Sequence, residues 1–369
     1  MHYTRNPLGV GGYCQCKAKK RENRFAKHNI EDTLKRFGIF GDPPKKQERN
    51  EESKVKKKQL IVSLVCMTAM LPLSAKDLKV LMIGNSFSVC VGNVLPKIVK
   101  SAPDHSLELT SCYISGCTLD RHSEILEQAE KQPDLAPYSI KVWNSGDPAK
   151  PKSRMGNVNE LLKKNQYDIV TIQQGSTKCW DYKTYQPYAN RIIGYIRKYQ
   201  PKAEIVIQQT WAYRSDDLRL QPAPGARWDF DQQGMYRRLR EAYEKLAEAC
   251  KFRVIPTGDA VQLYRKYTPV KFKPSTEQFQ YPALPSSAGD PVGKAFWRKA
   301  PKTGEYFLAY DQYHLNRSGE YLQSCLWFAF LYGEPVSKIA YTPSGISESE
   351  NKLIRKCAQE ALDGYKQVK

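Results

Sequence analysis

Residues 80–83, Val-Leu-Met-Ile, run straight into Gly84-Asn85-Ser86-Phe87-Ser88, and this junction restricts the chain more than any other stretch. Four apolar residues without polar alternation predict a strand buried on both faces, the condition of a parallel sheet. Gly84 permits a sharp turn directly after it. Asn85 and Ser86 then fall just beyond the strand's carboxyl end, the edge at which open α/β sheets bind ligands. Ser86 is there either to cap the next helix or to act as a nucleophile, and the second role needs a base within reach.

The rest of the chain repeats the alternation. Strands are expected at 107–114, 140–143, 167–172, 203–208 and 253–255, and helices at 89–101, 119–132, 158–164, 185–199, 235–250 and 318–332. A last helix opens at Ser347-Glu348-Ser349-Glu350, a capping-box pattern. Residues 147–154 read as a Pro/Lys-rich loop. Residues 268–304, rich in Pro, Ser, Lys and aromatics, read as a long surface excursion of the kind that is more often functional than idle. Strands alternating with helices predict an α/β fold, three layers deep, with a mostly parallel sheet covered on both faces.

Charge divides the chain unevenly. Of 58 Lys+Arg and 38 Asp+Glu, residues 1–75 hold 16 and 7. Lys54-Val55-Lys56-Lys57-Lys58, then an apolar run to Leu73 and a small-residue end at Ser74-Ala75, form a signal-peptide pattern over 54–75. The run is short of the roughly 20 residues that a membrane span requires. Residues 1–53 are polar and basic, which at face value fits a nucleic-acid tail. We read them instead as an upstream overcall of the start, with Val55 the expected first residue. The expectation is therefore an exported chain, periplasmic or extracellular, with no nucleic-acid partner and no stable membrane insertion after cleavage. Beyond residue 75 the basic residues are interspersed along helices, the pattern of a solvated surface that also favours anionic polymers. A mean hydropathy of −0.62 excludes a polytopic membrane protein. Seven of the ten cysteines follow residue 75 and none forms a CxxC pair. Cys112 and Cys117 are near enough in sequence to bridge, a question of geometry that sequence leaves open.

Only three histidines follow residue 75. His105 lies in a polar Pro-Asp-His-Ser turn and is expected to be solvated; His122, early in a helix, is expected at the surface. His314 differs. It stands in Asp311-Gln312-Tyr313-His314-Leu315-Asn316, on what reads as a short loop before the helix 318–332, with an acid three residues before it. A serine hydroxyl is a poor nucleophile until a base takes its proton. Imidazole does this near neutral pH, with a carboxylate on its other nitrogen fixing the tautomer. Ser86, His314 and Asp311 supply these three roles. Acyl transfer also needs donors for the oxyanion, and the strand ends offer the Ser86 amide, Gly116, and Gln173 or Gln174.

Gly84-Asn85-Ser86, Gly116, Gln174-Gly175-Ser176 at a strand end and Asp311-x-x-His314 occur in the order that resembles SGNH (GDSL-like) hydrolases, over about residues 77–335. The chain is particularly similar to a bacterial group of that superfamily, a domain of unknown function, that has Gly-Asn-Ser-Phe-Ser at the nucleophile. Gln208-Gln209-Thr210-Trp211 and Asp311 to Asn316 are similar to that group too. The resemblance implies a flavodoxin-like three-layer α/β/α fold and ester hydrolysis without metal or cofactor. Residues 336–369 are then a C-terminal helical extension. Two departures stand out. Asn85 occupies the position of the superfamily's usual Asp, and the Gly-x-Asn-Asp block, whose Asn donates to the oxyanion, is absent. Gln174 is the expected substitute, as a Gln-Gly pair serves in some acetyl esterases of the superfamily, and Gln173 competes for the role.

Asn85, Trp211 and Tyr213 are the expected substrate-binding residues. With Trp180, Tyr182 and Trp228 they place flat rings near strand ends, where rings stack on sugars. An exported esterase with aromatic loops and no long apolar lid is expected to remove O-acetyl groups from a carbohydrate. The alternatives are a carbohydrate-binding protein that has lost catalysis on the same scaffold, and a lipid or thioester hydrolase.

Overall fold

The computed structural model describes residues 75–367; the basic extension 1–53 and, but for Ala75, the signal-peptide pattern 54–75 lie outside the described residues. Strand β1 (Lys76–Gly84) forms the middle of the sheet. Its second half, Val80 to Gly84, is wholly buried. Each such apolar side chain contributes about 1.5–3 kcal/mol on burial. β1 pairs in parallel with β2 (His105–Tyr113) on one side and with β5 (Ile169–Ile172) on the other. β6 (Glu204–Gln208) and the two-residue β7 (Val254–Ile255) continue the parallel run. Beyond β2, the sheet ends in two antiparallel strands, β3 (Tyr138–Asn144) and β4 (Lys152–Gly156), the latter in the stretch expected as loop. The order is β4-β3-β2-β1-β5-β6-β7. Its parallel part is the doubly wound order that places a ligand crevice where β1 and β5 diverge.

Helices cover both faces. α1 (Ser86–Val89) and α2 (Leu95–Lys100) follow β1. α3 (Leu119–Lys131), α4 (Val158–Lys164) and α5 (Tyr188–Tyr199) pack on one another in one layer. α6 (Gln232–Cys250) precedes β7 and packs on α7 (Thr257–Tyr267), a helix the sequence pattern did not announce. α8 (Arg317–Tyr332) contacts α2, α7 and α9 (Glu348–Gly364) in the other layer. Every residue of α8 from Tyr321 to Tyr332 is buried, so this helix is core rather than cover. Residues 336–367 belong to the same compact unit, with Ile354, Cys357, Ala358 and Ala361 of α9 buried. The seven described cysteines, Cys112 and Cys117 among them, are free thiols.

The long excursion folds in part. β8 (Val292–Lys299) and β9 (Tyr306–Leu315) form an antiparallel hairpin separate from the main sheet. Asp311 and His314 therefore stand on a strand, not on the short loop expected before α8. The hairpin root is fixed to α8 from both sides. Asn316 caps α8 through bonds from the Ser318 and Gly319 N–H groups, and its own amide donates to the Asp290 and Gly293 carbonyls. At Gly319 a β-carbon would collide with the Pro291 carbonyl, so α8 approaches the start of β8 only because this residue is glycine.

Candidate active site

The turn after β1 is held by polar groups from several parts of the chain. Asn85 is the N-cap of α1, its Oδ1 accepting from the Phe87 N–H at 2.9 Å and from Gln173 Nε2 at 2.6 Å. Its Nδ2 donates to the Cys117 carbonyl at 2.9 Å, tying the nucleophile turn to the loop after β2. The Phe87 carbonyl accepts from two buried glutamines, Gln208 (2.8 Å) and Gln323 (3.1 Å). A β-carbon on Gly84 would run into the Ser88 hydroxyl. The outcome is a fixed backbone that leaves Ser86, first in α1, partly exposed.

His314 Nε2 lies 2.7 Å from Ser86 Oγ, and His314 Nδ1 lies 2.8 Å from Asp311 Oδ2. The other carboxylate oxygen, Oδ1, accepts from the N–H groups of Tyr313 (3.1 Å) and His314 (3.0 Å). Burial alone would raise the Asp311 carboxyl. Hydrogen bonds from the His314 ring and from the His314 and Tyr313 amides overturn that and hold it at about 2. Ionised, Asp311 can only accept, so Nδ1 carries the proton and Nε2 is left to accept from the serine hydroxyl.

Trp211 links the two halves. Its ring is stacked on Phe87, centroids 4.1 Å apart and planes 3° from parallel, while Nε1–H donates to the Tyr313 carbonyl at 2.8 Å. One side chain thus touches the residue after the serine and the residue before the histidine. The structure corrects the substrate-binding assignment: Trp211 and Tyr213 are both fully buried. The Tyr213 hydroxyl donates to Ser176 Oγ at 2.8 Å, and its ring lies under the Arg219 guanidinium. Asn85 is buried as well, its amide occupied inside the protein. Trp228 packs against Trp180 and Phe230.

Gln174 is corrected too. Its Oε1 accepts from the N–H groups of Leu119 (2.9 Å) and Gly175 (2.8 Å), and its Nε2 donates to the Thr184 carbonyl (3.0 Å) and hydroxyl (3.1 Å). It holds loops together and does not face Ser86. Gln173, one residue earlier, is the glutamine that reaches the nucleophile turn. Gly116 keeps its place near it, since Asn85 binds the next carbonyl; its φ of +60° requires glycine, and open space lies where a side chain would stand.

The other two histidines are not where polarity placed them. His105 is in β2, nine-tenths buried and stacked on Tyr332 at 4.3 Å. His122 is buried against Tyr138, its Nδ1 3.0 Å from the phenol oxygen, and burial pushes its pKa down to about 3. Both are packed structural residues. Gln323 escaped the sequence reading, and Gln208 entered it only within the Gln208–Trp211 block, without a role at the nucleophile turn. A signal for Gln323 was present, because it is a glutamine inside the apolar run Tyr321 to Tyr332.

Comparison with known proteins follows the same outline. The family model described as Domain of unknown function (DUF4886) matches residues 79–273, which include Ser86 and stop short of β8–β9. A solved DUF4886 family protein from Bacteroides uniformis ATCC 8492 is 23 % identical, with a TM-score of 0.61, over 78 % of this chain and 95 % of that one; the likeness shows the fold. A candidate SGNH hydrolase from Slackia heliotrinireducens (14 % identity, TM-score 0.36, 68 % and 96 % covered) and a member of the lipolytic protein G-D-S-L family from Veillonella parvula DSM 2008 (11 %, 0.34, 69 % and 97 %) are more distant. No curated protein matches. The chain belongs to the DUF4886 family.

Proposed function

We propose that this DUF4886 member is a serine hydrolase of the SGNH type that cleaves carboxylic esters by acyl transfer. The observation that carries the reading is the unbroken relay Ser86–His314–Asp311, with spacings of 2.7 and 2.8 Å. Ser86 Oγ attacks the ester carbonyl carbon while His314 Nε2 takes its proton. Asp311 keeps the ring in the required tautomer and stabilises the imidazolium. The oxyanion is met by the Ser86 N–H, which heads a helical turn and has no helical acceptor, and by the Gly116 N–H. His314 then protonates the departing alkoxide, and water, activated by the same histidine, releases the acid.

Turnover of p-nitrophenyl acetate by the wild type, and its loss on the order of 10⁴- to 10⁶-fold in Ser86→Ala, is the test. A folded Ser86→Ala protein with wild-type turnover sinks the reading.

The finer reading is removal of O-acetyl groups from a glycan by an exported protein. It is supported by the signal-peptide pattern at 54–75 and by the aromatic residues Phe87 and Trp211 packed beneath the serine. N-terminal sequencing of the native protein checks export: a chain that retains residues 54–75 contradicts it.

A further inference from the structure

Eight large apolar side chains stand exposed among the described residues, and five of them fall on the hairpin or the loop beside it: Tyr281, Leu284, Tyr306, Phe307 and Tyr310, each 46–56 % exposed. They are organised. Tyr281 stacks on Tyr306 with centroids 4.3 Å apart and planes at 18°, and meets Trp297 edge-on at 5.9 Å. Trp297 Nε1–H donates to the Ala283 carbonyl, which fastens the loop to the hairpin. Strand alternation sets Tyr306 and Tyr310 on one face of β9, and Trp297 and Lys299 join that face through the register Trp297↔Leu308 and Lys299↔Tyr306. Residues 292–310 carry Lys294, Arg298, Lys299 and Lys302 against the single carboxylate Glu305. Tyr306 precedes His314 by eight residues in the same strand, roughly 26 Å at the strand rise.

We propose that this arm holds an acidic polysaccharide chain, so that the ester cleaved at Ser86 is one borne by a polymer and not by a small molecule. The proposal rests on the ester-hydrolase reading above. Flat aromatic faces receive the C–H faces of sugar rings, since the ring face is the negative side of its quadrupole. Lys299 shares the ring face, and Lys294 and Arg298 on the other face of the ribbon add to the positive field that draws uronate carboxylates. The span from the ring pair to the serine is longer than any small ester. A bilayer fits less well, because the tip, Ala300-Pro301-Lys302-Thr303-Gly304-Glu305, has no large apolar residue to insert. A second copy of the chain fits less well too, because two such arms would set cation against cation.

The probe is O-acetylated polygalacturonate cast into a native gel, with retardation measured for the wild type, for Tyr281→Ala/Tyr306→Ala and for Lys294→Ser/Arg298→Ser/Lys299→Ser. The wild type is expected to be retarded, less so as salt rises. The ring variant should weaken binding by about tenfold, as stacking contributions of this kind imply, and the charge variant should flatten the salt dependence. Circular dichroism confirms that the variants fold. Undiminished retardation of both variants overturns the proposal, as does wild-type protein that ignores the polymer and sediments with phosphatidylglycerol vesicles. p-Nitrophenyl acetate turnover, read in parallel, separates the two readings. A retarded but inactive wild type sinks the hydrolase and supports the arm, whereas an active, unretarded one sinks the arm alone.

Discussion

The two segments that meet at the site are built in opposite ways. The nucleophile turn is buried in the sheet's centre, with Asn85 and Phe87 held by Gln173, Gln208 and Gln323 from three other elements. The histidine arrives on a two-stranded ribbon outside that sheet, much of it exposed, held at its root by Asn316, by Trp211 and by the Arg214 N–H bond to the Gln312 carbonyl. Chemistry needs both within hydrogen-bond reach at once. On the proposed mechanism the buried half fixes where the acyl carbon sits, and the ribbon brings the base to it.

Removing the peripheral half's chemistry should have the largest effect. His314→Ala is expected to lose on the order of 10⁴- to 10⁶-fold in kcat, and Asp311→Asn less, because the carboxylate orients and stabilises but does not transfer the proton. Asp311 adds a pH signature. Its folded carboxyl is held at about 2 against an ordinary 3.8, so its contribution to stability is fully present above the unfolded value and is lost as pH falls through the folded one. Chemical denaturation between about pH 5 and pH 2 should show a shallower acid decline in Asp311→Asn than in the wild type. Equal slopes would mean that the Asp311–His314 bond is absent in solution.

The contrast also decides what the sequence disclosed. β1 and its turn were legible because four apolar residues followed by Gly-Asn-Ser admit few structures. Asp311 and His314 were legible as a pair, but not as part of a strand, since the partner strand lies across a turn inside a Pro- and Lys-rich stretch that reads as loop. Ala300-Pro301-Lys302-Thr303-Gly304 between two aromatic runs was the available hint, with Gly304 at φ +74°. Side-chain roles were the least legible. Trp211, His105 and His122 were judged by polarity and position along the chain, whereas their burial is set by elements far away in sequence. Gln173 and Gln174 alternate across one strand end, and nothing local says which of them faces the serine.

Trp211 tests whether the halves are coupled. Trp211→Phe keeps a ring against Phe87 and removes the bond to the Tyr313 carbonyl, so the base should lose register while the nucleophile turn stays intact. A fall of about tenfold in kcat with KM little changed is expected, since a misplacement of about 1 Å can cost as much as 10². If kcat holds and only the melting temperature falls, Trp211 is packing and the hairpin finds its place without it.

Gln174→Ala should have the smallest effect on turnover, and it separates support from chemistry within a single residue. Its side-chain oxygen accepts from the N–H groups of Leu119 and Gly175, both in buried surroundings. Leu119 is the first residue of α3, and the N-cap Thr118 makes no side-chain capping bond, so Gln174 does the capping from another loop. Losing it leaves buried donors unpaired at about 1–3 kcal/mol each, a drop of several degrees at roughly 1–2 °C per kcal/mol for a chain of this size. With its amide turned to Thr184, it has nothing to give an oxyanion, and kcat should stay within about threefold. An oxyanion donor would behave in the opposite sense, losing about 10² to 10³ in kcat at an unchanged melting temperature. Gln173→Ala is the matched control. That side chain bonds Asn85 Oδ1, so its removal loosens the cap of the nucleophile helix and should lower kcat more than Gln174→Ala does. The reverse order, with Gln174→Ala the more damaging to kcat, would require the loop from 174 to 184 to rearrange when substrate binds.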